Sequence, residues 1–312
     1  MNEIGYVVAV EIEAANAAQG LALARRRRLP VADAQRRRIS PWRSGSFAAA
    51  VDTVDWPELA RSWTLRALAL AAGVVVWQVA CAYQLNLVVK FENVPSPLAV
   101  LSALIAHAHE AKFYLHILVS LERILISFVL ASAIGIAAGV AIGRSRIARD
   151  LITPYIEILR PIPAVAWIPL AILMWPTEES SIIYITFLGA LFPIVLNTVH
   201  GVEQTPQVLV RAAQSLGATR LQILRHVVLP AALPSIAAGL AIGMGVSWFS
   251  LLAGEIISGQ YGIGYFTWNA YSLIDYPDIV VGMLIIGALG TVSTLAVRKV
   301  MQPLLSWQRK SR

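Results

Sequence analysis

Charge is scarce in this 312-residue sequence: Asp, Glu, Lys and Arg make up 14% of it, against about 25% in an ordinary soluble domain. Hydrophobic residues reach 57% and the mean hydropathy is +0.67, which excludes a typical cytosolic enzyme. Cysteine is nearly absent. Cys81 stands alone, so neither a disulfide framework nor a multi-cysteine metal site exists. No G-x-x-x-x-G-K-S/T loop occurs, so the chain has no cradle for a nucleoside triphosphate. There is no H-E-x-x-H pattern, no nucleophile elbow and no carboxylate pair on one intramembrane face. The chain therefore reads as non-catalytic, with no metal or cofactor of its own. With 20 Gly and 16 Pro it is not low-complexity either. What remains is a polytopic, all-α membrane protein.

A bilayer core of about 30 Å takes about 20 apolar residues as a helix. Six stretches qualify: Leu65–Leu85, Ile117–Gly143, Leu151–Trp175, Ser181–His200, Pro230–Gly254 and Ile279–Arg298. Glu157, Arg160, Pro161, Pro163 and Pro169 interrupt the third. Polar, irregular backbone at membrane depth needs surrounding protein or a water-filled cavity, so the third span is expected inside the bundle.

The net charge of +7 belongs to topology rather than to a nucleic-acid surface, because Lys and Arg fall between apolar runs. With the N-terminus inside, 21 of the 25 basic residues lie on the cytoplasmic side and only Lys90 and Lys112 lie outside. Arg123 and Arg160 fall within spans. The positive-inside rule thus puts both termini in the cytoplasm. Residues 1–64 lack the continuous apolar core of a cleavable signal. Ile4–Ala24 reads as a soluble or surface helix. The runs Arg25–Arg28 and Arg36–Arg38 either fix topology or touch anionic lipid. Outside, Leu98–Ala106 is too short to span and reads as a helix lying at the outer face. The neighbouring His107, His109, His116 and Glu110 have no metal-ligand spacing, which favours a solvated loop.

The longest cytoplasmic loop, residues 201–229, is the most informative. Thr205-Pro206 is a helix start, a hydroxyl cap with proline in the first turn, and Gly217 is a stop. Between them Leu209, Ala212, Ala213 and Leu216 fall at i, i+3, i+4 and i+7, one narrow apolar face of small side chains. Arg211 lies off it. Such a helix is shaped for a groove on another protein.

Arg211-Ala-Ala-Gln-Ser-Leu-Gly217, nine residues, then Val227-Val-Leu-Pro230 resembles the E-A-A-x-x-x-G…I-x-L-P loop of ABC importer permeases. Arg211 replaces the glutamate and Val227 the isoleucine. Ser120-Leu-Glu-Arg123, Leu159-Arg-Pro-Ile-Pro163, Ala166-Trp-Ile-Pro169, Phe192-Pro-Ile-Val-Leu-Asn197 and Glu255 before Gly259–Gly264 are similar to the nitrate/sulfonate/taurine branch. Where that branch has W-F-G-x-G, this chain has Trp175-Pro-Thr-Glu-Glu179. The resemblance runs from Val94 to Leu305. It implies a type I importer fold: a cytoplasmic extension (1–64), a permease domain (65–300) and a cytoplasmic tail (301–312). It also implies a bacterial inner-membrane subunit that passes a small anion and binds no cofactor. Its implied partners are two ATPase subunits that use ATP and Mg, a second permease subunit and a periplasmic or lipid-anchored binding protein. An importer for another organic solute, or a self-sufficient carrier or channel, are the alternatives.

Polar groups on the spans are candidates for the pathway: Arg160, Asn197, Ser247, Ser250 and Glu255. Arg160 either attracts an anion or pairs with Glu157 three residues earlier. Gly135, Gly139 and Gly143, and Gly239 and Gly243, form small-residue faces that pack either within one subunit or across a dimer.

The charge asymmetry makes topology testable. After replacement of Cys81, single cysteines at positions 30, 147, 215 and 308 should react only from the cytoplasm, and one at 105 only from outside. External reaction at 215 would contradict both the topology and the groove-binding helix.

Overall fold

The computed structural model describes residues 56–84 and 93–305. The basic runs, the Ile4–Ala24 segment, Lys90 and the last seven residues lie outside the described residues. Two compact units divide the chain, residues 1–65 and 66–312. The described residues are helical throughout: α1 (Trp56–Ala82), α2 (Pro97–His107), α3 (Ala111–Arg144), α4 (Arg146–Leu159), α5 (Ile168–Met174), α6 (Glu178–Glu203), α7 (Gln207–Ser215), α8 (Arg220–Ile223), α9 (Leu229–Ser258), α10 (Ile263–Ser272) and α11 (Tyr276–Met301). A 3₁₀ turn, Ala164–Trp167, precedes α5, and a π-helical turn, Leu224–Val228, precedes α9.

α6 is the axis of the bundle, packed along both α3 and α9. Glycine faces make the approach possible. A side chain at Gly139 would meet Thr198 Cβ at 2.5 Å, and one at Gly239 would meet Asn197 Cβ at 2.7 Å. Gly135 faces Ile194 and Gly143 faces Val202. The glycine repeats therefore serve packing within one chain. Backbones brought this close gain dispersion contacts that lipid does not supply. Ile182, Ile185, Ala190 and Ile194 of α6 are wholly buried as a result.

The same contacts fix direction. Gly135, Gly139 and Gly143 meet α6 residues that also rise in number, so α3 and α6 run parallel. α9 runs antiparallel to α6, with Gly201 beside Ser235 and Gly254 beside Ile182. The segment between two parallel helices must return the chain from one end of the bundle to the other. That segment is α4 and the Ala164–Met174 helix, bent by 88°. Five described helices are long and apolar enough to span, and six crossings result if the bent pair counts as one.

The interruption expected in the third span is present, but its first half is not enclosed by the chain's own bundle. Pro161 and Pro163 remove backbone donors, and each disfavours helical geometry in the residue before it. Arg160 still caps α4 in helical geometry, and the chain leaves the helix over residues 161–163. Within the chain α4 buries no residue. Ile147, Leu151, Tyr155 and Ile158 form an exposed stripe on it.

α2 begins at Pro97 after the Ser96 cap, whose hydroxyl accepts from Ala99 N at 3.3 Å. It is the short apolar helix expected there. Of the histidines beside it, His109 lies in an exposed turn as expected, whereas His107 and His116 are engaged by the bundle. His107 Nε2 lies 2.7 Å from Asp278 of α11, and its Nδ1 lies 3.1 Å from Glu110. Burial opposes a charge on His107, but the hydrogen bonds to Asp278 and Glu110 outweigh it and raise its pKa above the usual 6.5. His116 is buried and accepts from Gly262 N–H. No group of metal-binding side chains occurs among the described residues.

Candidate functional site: a coupling loop and a membrane cavity

Residues 204–229 form a helical elbow between α6 and α9. α7 starts at Gln207 with Pro206 as its cap residue, and no side chain caps it. The expected Thr205 cap is not formed. Thr205 N–H closes the end of α6 on Val202 O at 3.3 Å, and its hydroxyl is buried without a partner. The stop is as expected. Gly217 has φ +78°, a conformation that glycine adopts without steric cost. Gly217 N–H donates to Gln214 O at 2.9 Å and Ala218 N–H to Ala213 O at 3.1 Å, the paired bonds of a Schellman motif. Thr219 and Gln222 then cap α8 reciprocally.

α7 is held to the bundle by Val210, which is buried with Val202, Ile223 and Val228. Ala213 is half-buried against the same cluster. Leu209, Arg211, Ala212 and Leu216 are exposed, Leu216 by 87%. The face drawn from the sequence therefore divides: Ala213 turns partly inward, while Leu209, Ala212 and Leu216 remain uncovered. A groove of about 390 Å³ lies beside them, lined by Leu216, Gly217, Gln222 and His226 among others. Val210 escaped the sequence reading because it sits one residue off the apolar spacing.

The pathway candidates separate in the same way. Ser247 donates to Gly243 O at 2.9 Å and Asn197 Nδ2 to Pro193 O at 2.8 Å. Both satisfy their own helices. Glu255 is buried in a network of hydrogen bonds. Arg160 and Ser250, ninety residues apart in number, line one cavity of about 530 Å³. Arg160 is exposed and, among the described residues, has no ion pair with Glu157 or any other carboxylate.

The Glu255 network lies at the far end of the bundle from α7, about 36 Å away at a helical rise of 1.5 Å per residue along α6. Arg123 of α3 donates Nη1–H to Glu255 Oε1 at 2.9 Å and to Tyr261 O at 2.6 Å. Its Nε–H donates to Glu179 Oε2 at 2.8 Å, and Nη2 completes a bidentate pair with the same carboxylate. Ser120 donates to Glu255 Oε1 at 2.7 Å while accepting from Ile263 N–H at 2.9 Å. Gly264 N–H reaches Glu255 Oε2 at 2.9 Å. One guanidinium thus joins α3, α6, α9 and the start of α10. The sequence placed Arg123 within a span, but nothing local in it named Glu179, Glu255 or Tyr261 as partners.

Residues 131–307 match the family described as binding-protein-dependent transport system inner membrane component. A putative ABC transporter permease protein of Methanocaldococcus jannaschii is 36% identical over 262 residues, covering 82% of this chain and 95% of the relative. The chain belongs to this family of ABC transporter permeases. The taurine transport system permease protein of Escherichia coli is 34% identical over 81% of this permease and 92% of its own length. The nitrate import permease protein of a Synechocystis strain is 34% identical over 72% and 82%. Family membership implies that this permease works with a separate ATPase and a substrate-binding protein.

The network allows a comparison of two carboxylates on one guanidinium. Glu255 is 1% exposed and Glu179 59%. Losing one partner of a buried pair typically costs about 3–5 kcal/mol, whereas a largely solvated pair contributes about 0–1 kcal/mol. Glu255→Ala should therefore lower the thermal midpoint of the purified permease far more than Glu179→Ala. Equal losses in detergent melts would show that burial does not set the strength of this lock.

Proposed function

We propose that this chain is the translocating subunit of an ATP-driven importer for a small anion of the nitrate, sulfonate or taurine class, and that α7 transmits force from a separate ATPase. The observation that carries the coupling role is the division of α7 into an anchored and an open face. Val210 ties the helix to the bundle, and Leu209, Ala212 and Leu216 are exposed among the described residues. An element fastened on one side and open on the other moves as the bundle moves. The substrate class is supported by the printed functions of the relatives and by the unpaired Arg160 on a cavity wall.

In this reading α7 and both termini face the cytoplasm, two copies of the permease pair with two ATPases, and a binding protein delivers the anion at the Arg123 end. The chain binds no cofactor; ATP and Mg belong to the ATPase, in keeping with the missing phosphate loop. The assembly sits in the inner membrane of a bacterium.

Ala212 is the most telling position on α7, because it is exposed whereas Ala213 leans on the chain's own core. Ala212→Glu should reduce co-purification of the ATPase by about tenfold or more, since an unpaired charge in a close-packed interface loses its hydration. Gly217→Val should do the same by forcing a β-branched residue to φ +78°. Expression should survive both changes. If both variants retain the ATPase and its ligand-stimulated hydrolysis, α7 is not the coupling element.

A further inference from the structure

The break between α4 and the Ala164–Met174 helix lies against the faces of α6 and α9, and the cavity there is lined by Arg160, Pro161, Pro163, Phe192, Phe249 and Ser250 among others. No acidic side chain lines it. Non-helical backbone at membrane depth persists only where it borders protein or water, and Pro161 and Pro163 place such backbone on this wall. Arg160 ends α4, its N–H bonded to Ile156 O at 2.9 Å, where the helix dipole favours a cation. Ser250 supplies a second, independent sign. It is 1% exposed and its hydroxyl is buried with no hydrogen-bond partner. A buried hydroxyl left unsatisfied is costly, so an unfilled donor on a cavity wall marks a place for an acceptor. Gly189 of α6 makes room for this hydroxyl: a side chain there would collide with Ser250 Oγ.

We propose that Arg160 and Ser250 form a transient binding site for one singly charged oxyanion within the membrane, the guanidinium neutralising it and the hydroxyl donating to a second oxygen. The inference rests on the reading of the chain as an anion importer's permease and names the residues that select the charge. A planar guanidinium fork matches two oxygens of a nitrate, carboxylate or sulfonate group. Phe192 and Phe249 give the rest of the wall an apolar character, which strengthens the electrostatic contact and offers no hydrogen bond to hold the ion. One cation and one hydroxyl grip an anion weakly enough for it to leave, as conduction requires. Glu255, Ser247 and Asn197 take no part, since their polar atoms are engaged elsewhere.

Two measurements on the full chain decide this. In proteoliposomes with the ATPase and binding protein, uptake of labelled nitrate and taurine should fall about tenfold or more in Arg160→Gln, less in Arg160→Lys, and several-fold in Ser250→Ala. ATPase co-purification should be unchanged, because the cavity beside Arg160 and the groove beside α7 share no lining residue. Uptake within twofold of the parent in both Arg160→Gln and Ser250→Ala would overturn the site and leave the importer reading intact. Independently, a cysteine at Leu196, on the same wall, should react faster with an anionic than with a cationic methanethiosulfonate, each relative to a free thiol. Arg160→Gln should abolish that preference. No preference in the parent would overturn the site even if no anion were transported, an outcome that would separately defeat the importer reading.

Discussion

A guanidinium in the interior of a membrane bundle must be neutralised by groups the protein itself brings there, because lipid offers none. Arg123 meets that constraint with Glu255 from α9, Glu179 from α6 and the Tyr261 carbonyl. The consequence is architectural. Three long helices and the turn into α10 are fastened at one end of the bundle, while glycine faces on α3 and α9 close on α6 along its length. The opposite end, where α6 gives way to α7, is held by Val210 and its neighbours, by the packing of Gly143 on Val202 and Gly201 on Ser235, and by an Arg149–Glu203 ion pair. In the proposed function this second end is where motion passes between an ATPase and the membrane bundle.

Much of this was legible in the sequence because apolar length and charge placement are local signals. The spans from 117, 181, 230 and 279 fall within the observed helices, and Gly217 adopts the left-handed conformation that its place after a helix requires. What was not legible depends on partners distant in the chain. Glu255 reads as a polar group near a span end until α3 brings Ser120 and Arg123 beside it. Thr205 has the composition of a cap, yet its hydroxyl turns into the core. The glycine repeats were ambiguous between a dimer and a single chain until α6 was seen to fill the groove they leave.

The third crossing shows why propensity and location differ. Its prolines announce a break, and the break is present, but the expectation of a buried span assumed that one chain supplies the surroundings. α4 instead shows a stripe of Ile147, Leu151, Tyr155 and Ile158 with nothing from the chain against it. Similarly, α7 carries uncovered leucines on a polar loop. Both features are intelligible in a subunit that is incomplete alone, and the absent phosphate-binding loop points the same way. In the proposed function the chain is the conduit and α7 the lever, with ATP hydrolysis on a separate subunit.

The most direct measurement is uptake of nitrate and taurine into proteoliposomes, first with the purified chain alone and then with its ATPase and binding protein added. Uptake should appear only in the complete system and stop when ATP is withheld. Sustained uptake by the chain alone, without ATP, would contradict a division of labour between conduit and motor.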